Sequence, residues 1–391
     1  MNCDFHVPPS IIFGGGKRFE AGHLAEKMGL SRVLIITDKF LSETGAVSSI
    51  SDCLKERGLE FSIFCDLKNE PAVEDVLNAV DVLMRNNCDG VLSVGGGSAI
   101  DTAKAVCVLS ANGGKMSDFQ GYQKVKKRGL PHIAIPTTAG TGSEVTRVTI
   151  INDTSRNVKM MCLDNFFMPD AAIVDYELTL TMPKTLTAYV GLDALTHAIE
   201  AYVSKKANAL SNIYATEAIR LISGSIMDVY KDGGNLNARE NMMIASTYAG
   251  IAFSNASVCT VHGMSRPIGV NFHVPHGLSN AFLLPIVTKK SINGDVQKYA
   301  DIAITMGFDS SGKTVEQLAL GVVEKLEYFN KELNIPNMKG WGIDETRYME
   351  AIDFMIDAAV DSGSPGNNPK VFSKEELAQI YRSAFNYVSG D

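Results

Sequence analysis

The chain has 391 residues, 45% of them hydrophobic and 20% charged, an ordinary globular composition with length enough for two cores. Its formal net charge is −8 and it carries no lysine- and arginine-rich block, which argues against nucleic acid or an anionic membrane surface as a partner. No apolar run reaches the roughly 18 residues of a membrane span, and the opening MNCDFHVPPS lacks a signal-peptide pattern. The seven cysteines, an odd number with no Cys-x-x-Cys pair, read as reduced thiols of a cytoplasmic protein.

Taken in chain order, short β-branched runs at Arg32–Thr37, Glu60–Cys65, Gly90–Val94, His132–Pro136 and Ala172–Val174 predict strands. Amphipathic stretches such as Pro71–Asn86 and Ser98–Ser110 lie between them as predicted helices. That alternation predicts a mainly parallel, Rossmann-like sheet covered on both faces. Past about Met182 the character changes, and no convincing strand follows. Helical patterns succeed one another at Leu186–Ser204, Ala209–Lys231, Ala238–Phe253, Gly277–Leu284, Val296–Met306, Val315–Leu333, Glu345–Asp357 and Lys374–Tyr387. We expect an α/β dinucleotide-binding domain over 1–182 and an all-helical metal-binding and substrate domain over 183–391.

In the first part, the buried strand Val91–Val94 runs into Gly95-Gly96-Gly97, and Ser98 and Asp101 have the Ser-x-x-acid spacing of a helix start. Glycines let a backbone approach a pyrophosphate closely, and free N–H groups at a helix start favour negative charge. The same pattern also suits a tight strand-to-helix turn without a ligand. Phe13-Gly14-Gly15-Gly16 repeats the style more weakly. A second polar loop, Pro136 to Glu144, carries Thr137, Thr138 and Thr141 after the strand at His132. Asp38 directly follows the strand Arg32–Thr37. A carboxylate there can accept from adenosine ribose hydroxyls and would repel the 2′-phosphate of NADP, or it can simply cap a helix.

The second part carries the metal chemistry. Asp193 and His197 are four apart in a helical pattern and so share a face. His262 and His276 follow beside Gly/Pro-containing turns. One carboxylate and three imidazoles suit a divalent ion such as Fe²⁺ or Zn²⁺. His6, His23 and His132 fall outside this cluster and read as structural.

With these segments in view, GGGSAID (95–101), IPTTAGTGSEVT (135–146), GLDALTHAIEAY (191–202) and VHGMSRPIGVNFHVPHGLSNA (261–281), the chain resembles the iron-containing alcohol dehydrogenase family. The resemblance covers nearly the whole chain. It implies a two-domain fold with the active site in a cleft between the domains. It also implies NAD or NADP in the first domain, with Asp38 favouring NAD(H), and a divalent metal, Fe²⁺ or else Zn²⁺, in the second. Carried over by position, it implies Asp193, His197, His262 and His276 as ligands and Gly95, Gly96 and Gly97 at the pyrophosphate. Asp38, Ser98, Asp101, Thr137, Thr138, Thr141 and Lys159 are expected to complete the cofactor site. The expected partners are a small alcohol or aldehyde and further copies of the chain in a homodimer or larger homo-oligomer.

Two positions depart from the family pattern. Arg266 stands four residues after His262, where many members carry a histidine, and Asn69-Glu70-Pro71 replaces Pro-Asn-Pro. Arginine is a poor proton shuttle but suits an anionic group, so Arg266 reads either as the partner of a substrate bearing such a group or as a side chain that pairs with a nearby acid and shapes the pocket wall. His273 is then the candidate proton relay. The implied reaction is hydride transfer between NAD(H) and the substrate carbon, the metal acting as a Lewis acid. Related glycerol-dehydrogenase-like or dehydroquinate-synthase-like enzymes, or a non-catalytic metal- or nucleotide-binding protein, are the alternatives.

Overall fold

The computed structural model describes residues 3–68, 70–156 and 158–387. The chain forms two compact units. One runs from His6 to Thr181, and the other holds the residues from Met182 onward together with those before His6. Phe5 belongs to the second unit, and its ring stacks on Tyr214 at 5.8 Å.

The first unit is built on nine strands: β1 (Ser10–Phe13), β2 (Arg32–Ile36), β3 (Glu60–Phe64), β4 (Gly90–Gly95), β5 (Gly121–Tyr122), β6 (His132–Pro136), β7 (Val148–Asp153), β8 (Val158–Leu163) and β9 (Ala171–Val174). Six of them make one parallel sheet in the order β1-β9-β6-β4-β2-β3. Helices α1 (Ala21–Lys27), α2 (Lys39–Ser42), α3 (Gly45–Glu56), α4 (Val73–Arg85) and α5 (Gly97–Asn112) alternate with its strands. The central strands β4 and β6 are buried along their whole length. Their continuous apolar runs, Val-Leu in β4 and Ile-Ala-Ile in β6, reflect cover on both faces. Separate apolar clusters lie around Leu34, Val91 and Val106 and around Ile35, Leu92 and Ile133.

Strand order reverses between β2 and β4. In open α/β sheets ligands bind at the carboxyl ends of the strands at such a point. A small second sheet, β5-β8-β7, contains the antiparallel pair β7/β8. The sequence pattern did not predict this pair, because it interrupts the strand–helix alternation.

The second unit is helical throughout its described residues. Its helices are α6 (Lys184–Val203), α7 (Ala209–Lys231), α8 (Leu236–Ala256), α9 (Thr260–Phe272), α10 (His276–Ser291), α11 (Val296–Thr305), α12 (Val315–Glu332), α13 (Glu345–Asp361) and α14 (Lys374–Asn386). Helix α6 is buried on nearly all sides, as a helix apolar all round must be. Helix α9 was not predicted. Gly263, Pro267 and Gly269 weaken its local propensity. Among the described residues no helix is long and apolar enough to cross a membrane.

Candidate metal centre and nucleotide cradle

Two loops meet at the carboxyl edge of the parallel sheet. Gly95 at the end of β4 pairs with Pro136 at the end of β6, and the Thr137 N–H donates to Gly95 O at 3.0 Å. A Cβ at Gly95 would stand 2.7 Å from the Ala99 Cβ, and one at Gly97 would stand 3.0 Å from Thr141 Cγ2. Thr138 packs over Gly96 in the same way. The glycines therefore let strand, helix and threonine loop approach to a distance that side chains would prevent. No side chain caps α5, so its first N–H groups present the positive end of the helix dipole in this cradle. The cradle fits a pyrophosphate.

The capping expectation for Ser98 and Asp101 is corrected. Helix α5 starts at Gly97 with Gly96 as its N-cap, which places Ser98 inside the first turn. Asp101 turns inward instead. Its Oδ1 accepts from Ser143 Oγ at 2.5 Å and its Oδ2 from the Ile150 N–H at 2.8 Å, so the carboxylate ties α5 to the following loop and strand. Lys104 is buried beside it and donates to Ser143 Oγ, Thr146 Oγ1 and Val148 O. Burial pushes the Lys104 ammonium down to about 8, against the pull of Asp101 and Glu144.

Asp38 follows β2 and caps α2, its Oδ1 accepting from the Leu41 N–H at 2.8 Å. Both sequence readings of Asp38 are compatible with this geometry. Lys159, on β8, pairs with Glu70 at 2.6 Å, and Asn152 donates to the same carboxylate. Glu70, the acid that departs from the family pattern, thus engages the lysine expected at the nucleotide. Asn69 lies outside the described residues. The other glycine run is closed by protein: Asp175 accepts from the Gly16 and Arg18 N–H groups and from the Arg18 guanidinium.

The helical unit brings Asp193, His262 and His276 together, with one ligand atom of each within 4.8 Å of the others. They come from α6, α9 and α10. Asp193 Oδ1 stands 3.6 Å from His262 Nε2 and 3.9 Å from His276 Nε2. His197 lies beside this group and outside it. Its Nδ1 is 4.0 Å from Asp193 Oδ1, and its ring is stacked between His262 and Phe253 at 4.3 and 4.2 Å. The close approach of α10 to α6 depends on Gly277, where a Cβ would stand 2.5 Å from the Tyr189 carbonyl oxygen. Asp193 and His262 side chains are 4% and 3% exposed, but that of His276 is 40% exposed, so the open side of the cluster is at His276.

Burial works to raise the Asp193 pKa, and the imidazoles of His197, His276 and His262 outweigh it and hold the carboxyl well below the usual range. A buried anion facing three imidazoles is a donor set for a divalent cation.

Glu200, which sequence reasoning passed over, completes the arrangement. Its Oε2 stands 2.7 Å from His262 Nδ1 and accepts from the Cys259 N–H at 2.9 Å, while its Oε1 accepts from the Val261 N–H at 2.6 Å. A carboxylate on one imidazole nitrogen fixes the tautomer and turns the other toward a metal. The signal was present in the spacing, since Asp193, His197 and Glu200 fall at i, i+4 and i+7 on α6.

Arg266 lies one turn beyond His262 on α9. Its Nη1 donates to Ser364 Oγ at 3.0 Å, and its buried Nε has no hydrogen-bond partner. His273 ends α9 in the left-handed conformation, φ 54°, and is exposed.

A parallel sheet with a glycine cradle and a helical unit with a carboxylate–imidazole cluster define a metal-dependent dehydrogenase. Residues 8–176 match the model of the iron-containing alcohol dehydrogenases, and residues 187–385 match that of the carboxyl-terminal region of the Fe-containing alcohol dehydrogenase family. The chain is 37% identical to an NAD-dependent methanol dehydrogenase of Bacillus methanolicus, over 97% of this chain and 99% of that one. A crystal structure of 1,3-propanediol oxidoreductase superposes with a TM-score of 0.96 at 34% identity, covering 98% of this chain and all of that one. A sulfoacetaldehyde reductase from Bifidobacterium kashiwanohense, solved with NAD⁺, superposes with a TM-score of 0.87 at 29% identity, covering 99% of each chain. The chain belongs to the iron-containing alcohol dehydrogenase family and is a metal-dependent alcohol dehydrogenase or aldehyde reductase.

Proposed function

We propose that the chain transfers a hydride between NAD(H) and a small alcohol or aldehyde, binding the cofactor in its first unit and a divalent metal, Fe²⁺ or else Zn²⁺, in its second. The observation that carries this reading is the convergence of Asp193, His262 and His276 within 4.8 Å, with Glu200 behind His262. His197 is the fourth candidate ligand, adjacent to the cluster. Bound there, the cation supplies Lewis acidity toward the substrate oxygen. The protein's own part is to hold the donor atoms, to fix the His262 tautomer through Glu200 so that Nε2 faces the cation, and to leave the His276 side open. In the first unit the Gly95–Gly97 turn and the positive end of α5 hold the pyrophosphate, and Thr137, Thr138 and Thr141 line the loop beside it. The names of the NAD-dependent methanol dehydrogenase and the NAD⁺-bound reductase support NAD as the cofactor.

The test is metal content and NADH-dependent aldehyde reduction in His262→Ala and His276→Ala. Both variants should lose metal and turnover while keeping their helical content. A variant with full metal and normal rate removes that residue from the ligand set.

Arg266 carries the finer reading of the substrate. Its guanidinium faces no carboxylate within ion-pair distance among the described residues, and Nε is left without a partner. A charged fork one turn from a candidate ligand suits a carboxylate, sulfonate or phosphate group, and sulfoacetaldehyde, named for the reductase above, is such an aldehyde. We propose that an anionic group on the substrate meets Arg266 and that His273 relays the proton. The kcat/KM for matched neutral and anionic aldehydes, in wild type and in Arg266→His, decides it. Equal preference for neutral aldehydes in both proteins rejects the idea. The seven thiols, none of them in a disulfide, support a cytoplasmic setting, and sedimentation analysis tests the expected homo-oligomer.

A further inference from the structure

Asn280 lies one turn beyond His276 on α10 and is fully buried. Its amide nitrogen stands 2.6 Å from Asp193 Oδ1, 3.1 Å from His262 Nε2 and 3.2 Å from His276 Nε2. Its carbonyl oxygen is buried without a hydrogen-bond partner. Turning the carboxamide over would set that oxygen against the Asp193 carboxylate, two acceptors with no proton between them. The amide orientation is therefore fixed by Asp193, even though it leaves Oδ1 unsatisfied. A carboxamide nitrogen has two hydrogens and here faces three atoms that can accept one, His276 Nε2 doing so when its ring proton is on Nδ1. The shortest contact, to a charged oxygen, is the strongest of the three.

We propose that Asn280 is a positioning residue for the cation site and acts through Asp193. The oxygen it holds is the one that lies 3.6, 3.9 and 4.0 Å from nitrogens of His262, His276 and His197. Fixing Oδ1 at that point sets the carboxylate rotamer toward all three imidazoles. The two Nε2 atoms would give their lone pairs to a bound cation, and the N–H toward them would then be released. The N–H toward Asp193 is kept, because a carboxylate oxygen has a second lone pair for the cation. The inference rests on the reading of Asp193, His262 and His276 as ligands.

The test is cation affinity in the full chain, stripped with chelator and titrated with Co²⁺ and Zn²⁺ against an indicator. Asn280→Leu keeps nearly the same volume and removes the donor. It should weaken binding of both ions by about 10–100-fold and shift the visible bands of bound Co²⁺, because Asp193 is no longer held. Loss of the donor to a buried carboxylate should also lower the melting temperature of the chelated protein modestly, so affinity is compared at a temperature where both proteins are folded. Asn280→Ala measures the same loss if leucine prevents folding. Affinity equal to wild type, with unchanged Co²⁺ bands, overturns the proposal, and so does higher affinity, which would make the amide a competitor of the cation. His262→Ala serves as the control. If it too binds as tightly as wild type, the ligand reading has failed; if it alone loses the ion, only the role given to Asn280 has.

Discussion

Glutamine at position 200 separates the two tasks of one carboxylate. In wild type both oxygens of Glu200 accept: Oε1 from the Val261 N–H, and Oε2 from the Cys259 N–H with His262 Nδ1 at 2.7 Å. Glutamine has one acceptor and one donor end. If its nitrogen takes the Oε1 place, it faces the Val261 N–H donor to donor. If it takes the Oε2 place, it meets the Cys259 N–H and drives the His262 proton to Nε2, the atom nearest Asp193. Either way at least one charge-assisted bond, worth about 1.5–3 kcal/mol, is lost. The second placement also removes the lone pair that a cation needs. Cation affinity of Glu200→Gln should fall by about 10–100-fold, or about 1.4–2.8 kcal/mol at 1.4 kcal/mol per decade. Indicator titration with Zn²⁺ measures it, and the melting temperature of the chelated protein reports the loss at the start of α9 separately. A variant that melts lower yet binds Zn²⁺ within twofold of wild type would refute the orienting role and leave Glu200 as a helix cap.

Gly97→Val should weaken NADH binding by at least roughly tenfold, about 1.4 kcal/mol, because its Cβ alone would stand 3.0 Å from Thr141 Cγ2; an unchanged Kd from NADH fluorescence in a folded variant removes the turn from the cofactor site. Asp38→Gly should gain NADP activity by relieving a like-charge repulsion of roughly 1–4 kcal/mol. Equal use of both cofactors by wild type would leave Asp38 only its observed cap on α2. His132 is 3% exposed with Nε2 2.8 Å from Ser93 Oγ, and burial, helped by Lys104, pushes its pKa down to about 3. The unfolded chain takes up this proton near pH 6.5. Stability from the neutral ring is therefore present above pH 6.5 and lost as pH falls toward 3, at roughly 1.4 kcal/mol per pH unit. His132→Gln should flatten melting temperature between pH 6.5 and 4, and slopes parallel to wild type would contradict this.

The parallel sheet was legible because β2, β4 and β6 are short apolar runs bounded by turn residues, each followed by a glycine or polar loop. The β7/β8 pair escaped because nothing in its pattern marks a hairpin set beside the main alternation. The candidate ligands were legible by type: an aspartate and a histidine at i and i+4, then two histidines near glycines and prolines. Asp101 shows the limit of such reasoning. Its spacing after Ser98 matches a helix start, but the start is made by Gly96, and the carboxylate is drawn inward by Ser143 and Ile150, some 40 and 50 residues on. Capping signals are read locally, and here the competing donors are not local.

Helix α9 carries the same lesson to the candidate metal centre. It contains two glycines and a proline, and its N-cap residue, Cys259, supplies no side-chain cap. Its first N–H groups go instead to Glu200 on α6, about 60 residues earlier in the chain. A helix of low propensity is thus fixed at its start by the acid that also orients His262. Asn280 on α10 contacts His262 and Asp193 together, so α6, α9 and α10 are joined by two polar side chains that surround the proposed ligands. Glutamate and asparagine are common residues and neither stands in a ligand motif. Only the packing of three helices makes them part of the candidate metal centre, and loosening either should be felt first as lost cation affinity and only then as lost fold.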